Sequence, residues 1–192
     1  MLTFAICVGT SVAVYMVPQL LAVPGDAYGF GASATAIGFF LLPGAAAAAL
    51  AGPISGVWVR RHGARVVVTA GIVLLSAALF GLAAVHTELW HLIGGKAAIA
   101  LANGLCVTAL VAGIATSVER RDTGTATGLV LVTRVLGYAV GAQLSGALLT
   151  AATPSGSDIP AECAFVTGFV IAGAVTALSL FVARSMSKGV DK

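Results

Sequence analysis

Apolar residues in this chain run on in long stretches of about twenty positions, and the polar residues are gathered into short gaps between them. A helix of ~20 apolar residues crosses the ~30 Å hydrocarbon core of a bilayer. The pattern predicts six such helices, over approximately 2–23, 35–59, 66–84, 92–118, 124–150 and 164–183. Ser33 stands where the second helix needs an N-cap. Pro18 is expected to loosen the outer turn of the first helix, and Pro43 to bend the second. The first run has no Lys or Arg ahead of it, so it lacks the charged leader of a signal peptide.

The few polar residues inside the runs are informative because a polar group in a membrane helix faces protein or a watery cavity rather than lipid. Cys7, Ser11, Tyr15 and Gln19 recur every four positions, a slightly tilted stripe on one helix. Such a stripe serves either helix–helix hydrogen bonding or a substrate-facing surface. Lys96 and Asn103 are seven apart and share a face of the fourth helix. Lys96 lies roughly 7–8 Å inside its run, where it either snorkels to the outer interface or lines a cavity. Arg134 lies roughly 15 Å into the fifth run, near the bilayer midplane. An ionised group there is expensive and marks a functional site by default. The bland alternative is a structural charge bonded to carbonyls or to a neighbouring acid. Gln143 adds a polar group further along. Thr133, Gly137, Gly141 and Ser145 form a small-residue seam for close helix contact. The third and sixth runs carry only Thr and Ser as polar groups, which predicts lipid-facing positions at the rim.

Composition removes whole classes of function. The chain is 59% hydrophobic and 9% charged, against about 25% charged for soluble domains, so it is expected to be an integral membrane protein. Its net charge of +3 comes from arginines between the runs, without interleaved aromatics, so nucleic acid is not expected as a partner. Cys7, Cys106 and Cys163 have no metal-ligand spacing and read as packing residues. No Ser/His/Asp or Cys/His set is visible, so neither an enzyme nor a cofactor or metal is expected. His86 and His91 read as surface residues, and Trp90 as an interfacial anchor.

Charge distribution predicts orientation. Arg60, Arg61 and Arg65 lie in the short connection after the second run, followed by Arg120 and Arg121, and by Arg184, Lys188 and Lys192 at the C-terminus. The first, third and fifth connections carry only acids, Asp26, Glu88, Asp158 and Glu162. Loops rich in Lys and Arg stay inside, so both termini are expected to be cytoplasmic, in a plasma (inner) membrane. Within the basic hairpin, Gly52 and Gly56 share a helix face and invite a neighbouring backbone, and Gly63 supplies a positive φ for the turn. A weak internal echo, G-A-S-A-T-A-I-G at 31–38 and G-T-A-T-G at 124–128, opens the second and fifth helices from opposite sides, the pattern of a three-plus-three inverted repeat.

Three segments carry a family resemblance across essentially the whole chain. G-V-W-V-R-R-H-G-A-R (56–65) resembles the loop motif G-x-x-x-D-R-x-G-R-R of the major facilitator superfamily in its C-terminal-half version. The segments at 28–44 and 117–141 are similar to the seventh-to-eighth and tenth-to-eleventh helix stretches of its drug-efflux, proton-antiporter members. The resemblance implies an all-α membrane fold, half of a major facilitator transporter. The six helices would correspond to helices seven to twelve. Arg60 occupies the acidic position of the loop motif, which removes an acid that serves a cytoplasmic latch in the family. Gly56, Arg61, Gly63 and Arg65 match other positions of the motif.

By that resemblance the chain is expected to be half of a small-molecule efflux carrier, driven by proton antiport and working by alternating access. Ser11, Tyr15, Gln19, Lys96, Asn103 and Arg134 are its candidate cavity residues. Its partners are the lipid bilayer, a small-molecule substrate, protons, and a second six-helix half in trans or a second copy. No carboxylate lies inside a run, so a proton-binding acid would come from the other half. The alternative expectation is a non-transporting assembly or sensor subunit, or an inactive truncated fragment.

Overall fold

The structure is a computed structural model and describes residues 1–25, 27–86, 88–119, 121–154 and 159–185, with the side chains of 116–117 and 181–185 left aside. Asp26, Arg120, Asp158, Lys188, Asp191 and Lys192 lie outside the described residues, as does the side chain of Arg184. The described chain is six helices and their connections: α1 (Leu2–Ala22), α2 (Ala34–His62), α3 (Ala64–Ala84), α4 (Leu89–Ser117), α5 (Thr123–Ala151) and α6 (Glu162–Ser185). All six contain a segment long and apolar enough to cross a membrane. The protein is therefore a multi-pass membrane protein.

The basic hairpin is tighter than its sequence suggests. The expected six-residue turn is helical up to His62 and again from Ala64, so Gly63 alone joins α2 to α3. Its φ of 82° and ψ of 156° lie where a side chain is strained, which is why glycine serves there. Ser33 caps α2 by accepting from the Ala36 amide at 3.3 Å.

Helix neighbours follow an arc, α2–α4–α3–α6–α1–α5, with α1 and α4 also touching across its middle. Among the described residues α2 and α5, at the ends of the arc, do not touch. Exchanging α1 with α4, α2 with α5 and α3 with α6 maps these contacts onto themselves, except for α1–α3. That is the symmetry of an inverted repeat.

The core explains the arc. Its large buried side chains come from α1 (Ile6, Met16, Leu20), α3 (Ile72, Leu75, Leu79), α4 (Leu92, Ile99) and α6 (Phe165, Phe169). The buried residues of α2 and α5 are all small: Gly44, Ala51 and Ser55 on α2, and Gly137, Gly141 and Ser145 on α5. These two helices are fastened by close backbone approach together with half-buried side chains such as Phe40 and Leu41 on α2 and Leu144 and Leu148 on α5. The expectation that α3 and α6 occupy the rim needs correction. Each keeps an outward strip, Val73 and Phe80 on α3 and Val170 and Leu178 on α6, but Ser76, Thr176 and Ser179 are turned inward and buried. Thr176 returns its hydroxyl to the Ala172 carbonyl at 2.8 Å, so it enters the core without an orphaned polar group.

At the end remote from the basic hairpin, the α1–α2 connection docks on α6. Tyr28 donates its hydroxyl to the Pro160 carbonyl and sets its ring edge-on to Phe165, with centroids 6.2 Å apart. His86 bridges the Leu82 carbonyl (3.1 Å) and Glu162 Oε1 (2.8 Å), tying α3 to the start of α6.

Candidate functional site

Polar side chains converge where α1, α4 and α5 meet. Thr10 bonds the Ile6 carbonyl at 2.9 Å and approaches Asn103 Oδ1 at 3.4 Å. Asn103 Nδ2 donates to the Tyr138 hydroxyl at 3.3 Å. Ser11 donates to the Tyr138 carbonyl at 2.7 Å. Arg134, one turn before Tyr138 on α5, lies beside the Cys7 thiol. Thr10, Asn103 and Tyr138 thus form a chain of hydrogen bonds across three helices, with the guanidinium at its α5 end.

The backbone allows this convergence because α5 lies almost against α1. A Cβ on Gly137 would stand 2.8 Å from Cys7 Cβ and 2.8 Å from the Phe4 carbonyl oxygen. A Cβ on Gly141 would stand 2.6 Å from Ser11 Cβ and 2.7 Å from the Val8 carbonyl oxygen. Ser145 continues the same face, its hydroxyl returned to the Gly141 carbonyl at 2.8 Å.

Electrostatically the site is cationic and unbalanced. Arg134 Nε is buried without a hydrogen-bond partner, and among the described residues neither Arg134 nor Lys96 forms an ion pair. Arg134 lies eleven residues past the start of α5, roughly 17 Å along the axis. Lys96 is half-buried where α4 meets α2, its stem running past Gly44: a Cβ there would stand 3.5 Å from Lys96 Cγ.

The candidate residues are not all gathered. Asn103 and Arg134 belong to the cluster directly. Ser11 is fully buried in the α1–α5 seam, so its hydroxyl joins helices. Tyr15 is 53% exposed and Gln19 also exposed, on the outer surface of the same helix. A repeat of four on a helix of 3.6 residues per turn drifts by about 40° per step, so the stripe winds from the interior at Cys7 to the surface at Gln19. Gln143 is exposed and lines a shallow apolar groove with Ala139, Val140, Leu144 and Ala147. Arg60, Arg61 and Arg65 are exposed at the basic hairpin, where a Cβ on Gly56 would approach only the Arg60 side chain of its own helix and a Cβ on Gly52 would meet no neighbouring helix within 4 Å. The close approach expected at Gly52 and Gly56 is made instead by their neighbours. Ala51 meets Gly104, and Ser55 donates to the Leu105 carbonyl at 3.0 Å. Two cluster members, Thr10 and Tyr138, escaped the sequence reading. Tyr138 was within reach, since it follows Arg134 by four positions and so shares its face.

No group of three or more His, Cys, Asp or Glu side chains converges as a metal site among the described residues. A sequence model of the Major Facilitator Superfamily matches residues 1–189. Over 126 residues the chain is 29% identical to the methyl viologen resistance protein SmvA of Salmonella typhimurium, in each of two strains. That stretch covers 65% of this chain and 26% of the relative, so the chain matches about a quarter of the curated proteins it resembles.

Proposed function

Because the chain belongs to the Major Facilitator Superfamily, we propose that it is one side of a two-sided efflux carrier for small organic molecules. It exchanges them for protons and works by alternating access, with a second six-helix unit as its counterpart. It sits in the plasma membrane with both termini in the cytoplasm. The observation that carries this reading is the open arc. The polar cluster sits where α1, α4 and α5 meet, and among the described residues α2 and α5, the two ends of the arc, do not touch. A binding site at the interface of two repeats, placed near the midplane, is the arrangement that rocking carriers use.

Within the proposal, Asn103 and Tyr138 present hydrogen-bonding groups to the substrate, the buried Thr10 backs Asn103 from within the bundle, and Arg134 and Lys96 set the potential of the cavity. Ser11, Gly137, Gly141 and Ser145 hold α5 against α1 so that the cluster keeps its shape. Tyr15 and Gln19 flank the outer mouth. The exposed arginines at 60, 61 and 65 hold the hairpin at the cytoplasmic interface. The relative's name makes methyl viologen the first compound to try.

The test is proton-gradient-driven uptake of methyl viologen into inverted proteoliposomes. They contain this chain alone, or the chain with the part of the Salmonella protein that the matched stretch does not cover. Uptake only in the paired vesicles, abolished by a protonophore, is the expected result. Paired vesicles that show nothing beyond a gradient-independent leak would leave a non-transporting subunit as the better reading.

A further inference from the structure

We propose that His86 and Glu162 form a proton-operated clasp at the end of the bundle remote from the basic hairpin, closed while the pair holds a shared proton and open once the medium removes it. The proposal does not depend on the carrier reading, because it needs neither a substrate nor a counterpart.

Both ring nitrogens of His86 face acceptors. Nδ1 lies 3.1 Å from the Leu82 carbonyl oxygen, and Nε2 lies 2.8 Å from Glu162 Oε1. A carbonyl only accepts, so that bond uses a ring N–H, and a neutral imidazole has just one. With it on Nδ1, a bare Nε2 would face an ionised carboxylate lone pair to lone pair. The contact therefore holds one proton more than a neutral ring and a carboxylate carry between them. Opening sends that proton to the medium and leaves the neutral ring beside the carboxylate.

Placement supports the charged pair. His86 follows the last turn of α3, where a cation is favoured, and Glu162 opens α6, where an anion is favoured. The His86 side chain is 12% exposed and that of Glu162 50%, so the carboxylate gives the proton a path to water while the ring stays enclosed. The other titratable groups described at this end are Glu88, His91, Cys163 and Tyr28. The first three are exposed, and Tyr28 is held by the Pro160 carbonyl.

The clasp matters because of what else is fastened to the start of α6. The Ala161 amide bonds to the Ala152 carbonyl at 3.0 Å, which ties this segment back to the end of α5. Tyr28 docks the α1–α2 connection on Pro160 and Phe165. A single proton thus steadies the whole end of the bundle. Histidine changes charge between about pH 5 and 8, so the clasp answers to ordinary changes in acidity. On the proposed topology it faces outward and closes as the outside acidifies.

The test is hydrogen–deuterium exchange on the full chain in phosphatidylcholine nanodiscs, with Cys163→Ser throughout so that no thiol ionises nearby. Protection factors for 27–33 and 159–166 are measured at pH 5.5 and 8.5, with 60–66 at the basic hairpin as the control. In the parent chain, protection of the two clasped segments is expected to fall about fivefold at the higher pH, the scale of a partly exposed ion pair, while the control stays constant. Glu162→Gln is expected to remain protected at both values, because an amide can accept from a charged ring and donate to a neutral one. His86→Phe is expected to be unprotected at both. Shielding of Cys7 and Cys106 from maleimide shows that each variant is folded. Protection that ignores pH in the parent, pH dependence that survives in either variant, or an unprotected Glu162→Gln would each overturn the proposal. Transport is not measured, so a failed clasp and a failed carrier remain separate results.

Discussion

Ser11 and Gly141 are locked together: a Cβ added to Gly141 would come within 2.6 Å of Ser11 Cβ, beside the hydroxyl that Ser11 donates to the Tyr138 carbonyl at 2.7 Å. Gly141→Val therefore has to push α5 away from α1. Overpacking of this kind costs about 1–3 kcal/mol. Losing a single interhelical hydrogen bond, as in Ser11→Ala, costs about 0.6 kcal/mol. Thermal unfolding in mild detergent should place Gly141→Val well below Ser11→Ala, and the reverse order would mean that the hydroxyl, not the close approach, holds the seam.

Lys96 and Gly44 form the matching contact across α2 and α4. The 3.5 Å from a would-be Gly44 Cβ to Lys96 Cγ is ordinary van der Waals distance. Gly44→Ala should thus be tolerated, and Gly44→Leu should destabilise by about 1–3 kcal/mol as a packing clash. Shortening the stem should relieve it, so Lys96→Ala combined with Gly44→Leu should recover part of the loss. Simple additivity in that double-mutant cycle would show that the two residues do not share space.

Cysteine accessibility reports both packing and orientation. Cys7 and Cys106 are buried, whereas Cys163 is exposed at the end of the bundle away from the basic hairpin. On the proposed topology a membrane-impermeant maleimide added to intact cells should modify Cys163 alone. Cys7 and Cys106 should react only after denaturation. Labelling of Cys163 only from the cytoplasmic side would reverse the assigned orientation.

Alkaline pH should loosen the docked connection. Burial raises the Tyr28 phenol above its ordinary 10.0, and the charges of Glu162 and Cys163 raise it further. A raised folded-state value means that the neutral form is favoured in the fold. The stabilisation it gives is complete below pH ~10 and is lost as pH climbs through the higher folded value. In ultraviolet titration, the difference between the wild-type curve and that of Tyr28→Phe should have its midpoint above 10. A midpoint at or below 10 would place Tyr28 free in solvent.

The six apolar runs were legible in the sequence because a span is specified by length and hydrophobicity, which need no partner. The cap at Ser33 and the special backbone at Gly63 were legible because each is a local rule. What faced what was harder to read. On α2 the run Ala45–Ala49 is nearly uniform around the helix, so nothing in it distinguishes the face of Gly52 and Gly56 from that of Ala51 and Ser55. Only the groove on α4 around Gly104 makes the choice. The α1 stripe failed in the same way at its far end, since Tyr15 and Gln19 wind out of the seam that Cys7 and Ser11 occupy. Rim positions for α3 and α6 were misjudged because a sparse set of threonines and serines looks lipid-compatible. Thr176 instead returns its own hydroxyl to the helix backbone, which suits the interior equally well.

The single residue between α2 and α3 has a mechanical consequence. With only Gly63 between His62 and Ala64, there is no slack, so whatever tilts one rod at that end drags the other. α2 borders the open side while α3 is seated among α4 and α6. A force applied to the gap is thereby delivered to the far side of the bundle, and compliance is left to places such as Pro43 and Pro53 within α2.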